Sequence, residues 1–206
     1  TPGAQRYLGG FAGRPGKGGT KDSPTNYVSP LPTEILDHNI EHAYEYKLIV
    51  GSVKTIRDYV YKNRTPSKGF NFIFEKDRQH WHYRNANDTG FPIEKELNIQ
   101  LTKNNPVLIS PWFCQDATTI KTIEVRAAFS TDEKSATLSW IRHGAKEPVK
   151  GDAISFPATS DGKMRTYQVK VASSPNWKGT IARLMFRPCH KGGEKKSIRI
   201  ESIRSK

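Results

Sequence analysis

Three runs near the C-terminus decide the fold: Tyr167-Gln-Val-Lys-Val-Ala172, Trp177-Lys-Gly-Thr-Ile-Ala-Arg-Leu-Met-Phe-Arg-Pro188 and Ser197-Ile-Arg-Ile-Glu-Ser-Ile-Arg204. Each alternates apolar with polar residues. Ser173-Ser-Pro-Asn176 separates the first two, and Lys191-Gly-Gly-Glu194 the last two. Period-two alternation between turn-forming stretches predicts strands with one buried face. In the middle run Ala182, Leu184 and Phe186 form the more uniform apolar set, which turns Arg183, Met185 and Arg187 outward. Trp177 stands just ahead of that strand, placed to plug the end of a sandwich. The reading is a β core with a basic coat.

Working outward, the same pattern recurs over residues 70–75, 80–84, 97–102, 107–110, 122–130, 136–143 and 153–156. Asn104-Asn105-Pro106, Ser130-Thr131-Asp132 and Ser160-Asp161-Gly162 punctuate it. Such a series of short strands, with no helical run between them, predicts an antiparallel sandwich over residues 67–206. Residues 1–32 are rich in Gly, Pro, Ser and Thr and read as irregular, extended chain. Gly13-Arg-Pro-Gly-Lys-Gly-Gly-Thr20 looks superficially like a phosphate loop, but it lacks the Gly-Lys-Ser/Thr ending and a preceding strand. Ile35, Leu36, Ile40, Ala43, Tyr44 and Leu48 recur at helical spacing. Ser52 can cap a second helix carrying Val53, Ile56, Tyr59 and Val60. Two such helices cannot form a domain alone. Residues 1–66 are therefore an extended and helical segment that docks on the β unit or on a domain elsewhere.

The formal charge is +13, and it is unevenly spread. Residues 1–66 carry nine basic and six acidic side chains; the other 24 and 14 leave +10 on the β region. An anionic partner follows: a polysaccharide, a nucleic acid or an acidic membrane surface. No apolar run is long enough to span a bilayer. Cys114 and Cys189 make no zinc site; they form one disulfide or remain two thiols. The six histidines show no metal spacing, and no nucleophile elbow or Ser-His-Asp arrangement stands out.

With the strands placed, the chain resembles a β-jelly-roll carbohydrate-binding module of the kind appended to secreted polysaccharide-degrading enzymes. The resembling pieces are Phe70-Asn-Phe-Ile-Phe-Glu-Lys-Asp-Arg-Gln-His-Trp81, Asn85-Ala-Asn-Asp-Thr-Gly90, Asn105-Pro-Val-Leu-Ile-Ser-Pro111, Thr122-Ile-Glu-Val-Arg126, Thr137-Leu-Ser-Trp140, Arg165-Thr-Tyr-Gln-Val169 and the closing pair of strands. They cover residues 68–206. The resemblance implies an antiparallel jelly-roll β-sandwich and non-catalytic binding of a polysaccharide. It also implies a secreted or cell-surface location and a parent hydrolase or lyase, whose tail residues 1–66 would be. It implies a structural calcium as well, with Glu75 or Asp77 at one end of the domain and Glu201 at the other. Arg187 stands where relatives tend to carry an acid, which favours an anion over calcium.

Sugar binding needs flat aromatic faces and multi-donor side chains. Trp177 and Trp81 read as core, whereas Trp140 and Trp112 are open to either role. If the strands neighbour each other, one sheet face gathers Arg126, Arg142, Lys170, Arg183 and Arg187. The expected site is Arg126, Trp140, Arg142, Arg183 and Arg187, with a loop group of Trp112, His143 and Arg165 in reserve. Guanidinium forks on that face would suit a sulfated or carboxylated polysaccharide. The bland alternative is a solvated face with exposed ion pairs, for example Arg126 with Glu124 or Glu201. Rival functions are a lyase or hydrolase drafting His82, Tyr83 and Arg84, a general polyanion binder, and an accessory domain that only packs on its parent enzyme. Nucleic acid is the weaker partner.

Overall fold

The computed structural model describes residues 7–11, 26–30, 33–41, 47–63 and 68–206, the first two stretches by their backbone. Strands β1 (Tyr7–Phe11) and β2 (Asn26–Pro30) pair antiparallel as a small sheet of their own. This hairpin falls in sequence read as irregular. Its strands, Tyr-Leu-Gly-Gly-Phe and Asn-Tyr-Val-Ser-Pro, carry glycines and proline in place of an alternating pattern.

Helix α1 (Val53–Asn63) starts where expected: the Thr55 N–H donates to Ser52 Oγ at 3.1 Å. None of its residues is buried. The first expected helix is not formed in residues 33–41 or 47–50, and Ala43 and Tyr44 lie outside the described residues. Tertiary contacts override the periodicity there, because Asp37 and the Ile35 carbonyl are drawn to Arg78 of the sandwich.

The remaining strands are β3 (Asn71–Ile73), β4 (His82–Arg84), β5 (Asn87–Asp88), β6 (Leu97–Gln100), β7 (Val107–Ile109), β8 (Gln115–Asp116), β9 (Ile123–Ser130), β10 (Ser135–Arg142), β11 (Ala153–Pro157), β12 (Arg165–Val169), β13 (Thr180–Arg187) and β14 (Ser197–Ser205). Every run expected to be a strand contains one. They form two antiparallel sheets of six strands. The first has the order β12-β9-β14-β6-β5, with β3 also on β14; the second has β11-β10-β13-β7-β4, with β8 also on β13. Successive segments repeatedly cross from one sheet to the other, as in a jelly roll. The chain enters and leaves the sandwich at one place, where the Phe70 N–H donates to Ser205 Oγ and the Ser205 N–H to the Phe70 carbonyl.

The core lies between the sheets. Val125, Ala127 and Phe129 of β9 and Leu184 and Phe186 of β13 face in, as the alternation requires. Phe72, Phe74 and Trp81 meet edge to face at one part of it. Trp140 and Trp177 meet the same way, ring centroids 5.0 Å apart. The Trp177 indole N–H donates to the Ala117 and Ile120 carbonyls, both at 2.9 Å, and so closes the end of the sandwich as expected. In the loop before β14 the Gly192 backbone presses on the Leu101 and Lys103 carbonyls so closely that no Cβ fits.

Cys114 and Cys189 are free thiols, which corrects the disulfide alternative. Cys114 adjoins Phe113, whose N–H donates to the Ala182 carbonyl, while Cys189 lies beyond the far end of β13. Strand rise separates them by roughly 20 Å, far beyond bridging distance. Burial pushes the Cys189 thiol up to about 11.

Candidate functional site

The outer face of the second sheet presents Arg183 and Arg187 from β13, and its far strand adds Arg84 and His82. Arg187 pairs across from Thr137, whose hydroxyl meets that of Ser155 at 2.9 Å. Arg183 is firmly placed. Its Nε donates to the Ser110 carbonyl at 2.7 Å, its Nη2 lies 3.2 Å from His82 Nε2, and its guanidinium sits 4.8 Å over the Trp112 ring. Since Arg183 is the donor, His82 Nε2 accepts and the imidazole is neutral. Burial first, and the Arg183 charge second, lower the His82 pKa and favour that form. Between the arginines Val107, Ile141 and Met185 form a small apolar cluster, with Ile109, Trp112 and Ala145 against it. None of the strands β11, β10, β13, β7 and β4 contains an acidic residue.

Not all the expected residues meet there. Trp140 is fully buried, with its indole N–H donating to the Asn176 carbonyl at 3.3 Å, so it offers no face to a ligand. Strand alternation placed it opposite Leu184, an inward residue. Arg126 belongs to β9 in the other sheet and is bonded to Glu201 at 2.6 Å. The single cationic face is therefore divided between two sheets. Arg142 lies past a β-bulge, opposite the core residue Ile181, and donates to the buried Asp152 carboxylate at 3.1 Å. Lys170 caps a short 3-10 turn, Val171–Ser173. In the reserve group, Trp112 and the exposed His143 sit near one end of the second sheet, whereas Arg165 begins the edge strand β12 of the first and pairs with Asp161.

The first sheet's outer face is a groove of about 730 Å³. Glu75 and Glu201, two of the expected calcium ligands, line it beside Arg126, Arg199 and Arg204. The donor set does not suit calcium, which takes six or more oxygens. Glu201 is held by Arg126, and Asp77 caps the turn by accepting from the Gln79 backbone and side-chain N–H groups at 2.7 Å. Among the described residues no group of three or more His, Cys, Asp or Glu is placed to hold a metal ion.

Residues 33–41 are clamped to the sandwich through Arg78 and His80. Arg78 is 2% exposed and forms ion pairs with Asp37 and Asp88. Its partners raise its own pKa, the Asp88 hydrogen bond foremost. Burial pulls the Asp88 pKa up, but Arg78, the Gly90 N–H and the Tyr83 hydroxyl together hold it below the usual value. Glu34 meets His80 Nδ1 at 2.9 Å, and that bond raises the histidine pKa.

Sequence reasoning missed Arg199 and Arg204 as site candidates and placed Arg84 only in the rival lyase group. Alternation already put Arg199 outward between Ile198 and Ile200. Arg204 was obscured by a bulge between Ile200 and Ser202 that shifts the period.

No protein-family model matches the chain, and no curated protein matches it. Solved structures do. A xylan-binding module, CBM86, from Roseburia intestinalis is 8% identical over 67% of this chain and 94% of its own, with a TM-score of 0.43. A family 11 carbohydrate-binding module from Clostridium thermocellum, in complex with a β-1,3-1,4-mixed-linked tetrasaccharide, is 12% identical over 68% and 96%, with a TM-score of 0.42. The C-terminal CBM6 of a marine laminarinase from Zobellia galactanivorans is 13% identical over 66% and 98%, with a TM-score of 0.37. The solved structures this chain is similar to thus include carbohydrate-binding modules.

Proposed function

We propose that the chain is a non-catalytic polysaccharide-binding module that takes an anionic, sulfated or carboxylated polysaccharide on the outer face of the second sheet. The observation that carries this reading is a sheet face bearing Arg84, Arg183 and Arg187, with no acidic residue in the five strands of its main path. Guanidinium forks match sulfate and carboxylate oxygens two at a time. The half-buried Trp112, seated on the buried apolar cluster, gives sugar C–H groups a surface to pack on. The site is shallow and binds weakly; its use is avidity, raising the local concentration of a linked hydrolase or lyase at its substrate outside the cytoplasm.

Two rivals are disfavoured by particular residues. Tyr83 faces the core with its phenol pKa raised, above all by burial, while His82 and Arg84 face outward, so the three do not assemble as a lyase base and neutralising cation. A track for single-stranded nucleic acid interleaves several aromatics with cations; among the described residues this face offers Trp112.

Affinity electrophoresis in neutral, uronic and sulfated polysaccharides at physiological salt tests the proposal. Retention by the anionic polymers, weakened by added salt and by Arg183→Ala or Arg187→Ala, is the expected result. Retention by neutral polymers alone, or equal retention by DNA of unrelated sequence, refutes it.

A further inference from the structure

Exposed apolar surface is gathered ahead of the sandwich. Among the described residues eight large apolar side chains are exposed; seven of them precede residue 68, four of these within α1. This helix of 11 residues has no buried side chain. Helices so short are marginal in water and draw their stability from packing an amphipathic face. At about 100° per residue, Val53, Ile56, Tyr59 and Val60 fall within about 120° of one another around the axis. Val53 is 66% exposed and Val60 41%. Asn63, the last residue of the helix, falls in the same arc but turns back to the Tyr59 carbonyl at 2.8 Å. Arg57 and Lys62 flank the arc, and Lys54 lies opposite, paired with Asp58 at 2.6 Å. Tyr59 closes one edge of the arc, and Tyr61 lies beyond the other.

Charge selects what covers this face. A second copy would bring the same cations, and a sandwich carrying +10, against it. A groove in a protein would have to draw the tyrosine rings out of water and find partners for their hydroxyls. At a bilayer surface the rings sit at the headgroup boundary, their hydroxyls stay wet, and the cations meet phosphates. Eleven residues reach about 16 Å, about half of a hydrocarbon core, and no helix among the described residues is long and apolar enough to cross a membrane. The helix therefore suits the plane of the surface.

We propose that α1 is an interfacial helix that lays its Val53, Ile56 and Val60 face into an anionic lipid surface, with Arg57 and Lys62 on the headgroup phosphates. Binding is weak and needs both the apolar contact and the charge.

The test is co-sedimentation of the full chain with vesicles of equal parts phosphatidylcholine and phosphatidylglycerol, against phosphatidylcholine alone. Binding to the anionic vesicles, falling as salt rises, is expected. The double substitution Val53→Asn/Val60→Asn keeps the net charge, and asparagine matches valine in helix propensity. It should lower the partition coefficient about tenfold, because two valines no longer leave water. Arg183→Ala, on the polyanion face, should leave it nearly unchanged. Val60→Trp should show an indole emission that shifts to the blue when anionic vesicles are added. Unchanged binding in the double variant, equal binding to the neutral vesicles, an unshifted indole, or loss with Arg183→Ala in place of the valines would overturn the proposal. So would a dimer in sedimentation that the double variant abolishes, which assigns the face to a second copy. No binding to anionic vesicles overturns it as well and leaves the face to another protein.

Discussion

Trp112 and Trp140 each adjoin a short apolar strand run, yet they have opposite fates. Trp140 packs on Trp177 inside the sandwich, and Trp112 lies under Arg183 outside it. Truncating Trp140 to alanine is expected to cost about 3–5 kcal/mol, read as a fall in denaturation midpoint. Trp112→Ala should leave that midpoint nearly in place and weaken retention by sulfated polymer. Arg142 and Arg183 separate in the same manner. Arg142→Ala strands the buried Asp152 carboxylate and should lower stability by about 2 kcal/mol with little effect on retention. The His82 imidazole reports on the site directly: NMR titration should give a pKa below 6.5. Arg183→Ala should raise it part of the way back, because burial, the larger cause, remains.

Among the elements, the longer strands of the sandwich and α1 were legible, whereas the β1–β2 pair and residues 33–41 were not. Strand positions follow from side-chain alternation, a local property that survives any tertiary arrangement. Residues 33–41 had helical spacing, but Arg78 takes Asp37 and the Ile35 carbonyl in an arrangement that only the folded sandwich creates. A charge buried between two carboxylates from separate segments leaves no periodic trace. Its pH dependence can be worked out. Asp88 has a depressed folded pKa, so its contribution is complete above the unfolded aspartate value, about 3.9, and is lost as pH falls through the folded value. His80 has a raised folded pKa, so its contribution is complete below about 6.5 and is lost as pH rises through the folded value. Residues 33–41 should be held most firmly between those limits. Hydrogen exchange of their amides across pH should show both limbs, and Glu34→Gln should remove the upper one.

At the scale of the whole molecule, the sandwich and its mostly inward set of aromatics could be read from sequence, but the site could not be read as a unit. Arg126, Arg142, Arg183 and Arg187 share a residue type and a strand-like setting. Which of them share a surface depends on sheet order, and β9 and β13 fall in different sheets. The two outer faces consequently differ in how they respond to salt. Retention through the second sheet should weaken steeply as ionic strength rises, because it rests on arginines in strands without carboxylates. The first sheet pairs Arg126 with Glu201 and Arg199 with Glu96.

The seam between Phe70 and Ser205 has a mechanical meaning. Strands β3 and β14 are antiparallel neighbours, and the chain enters through one and leaves through the other at the same edge of the ladder. A force pulling these two points apart acts across the ladder, so its hydrogen bonds carry the load one after another instead of all together. Pulled apart at these two points, the sandwich unzips from this corner. The Arg78 clamp, fixed to the segment ahead of residue 70, adds a buried ion pair that must break as that segment is drawn away.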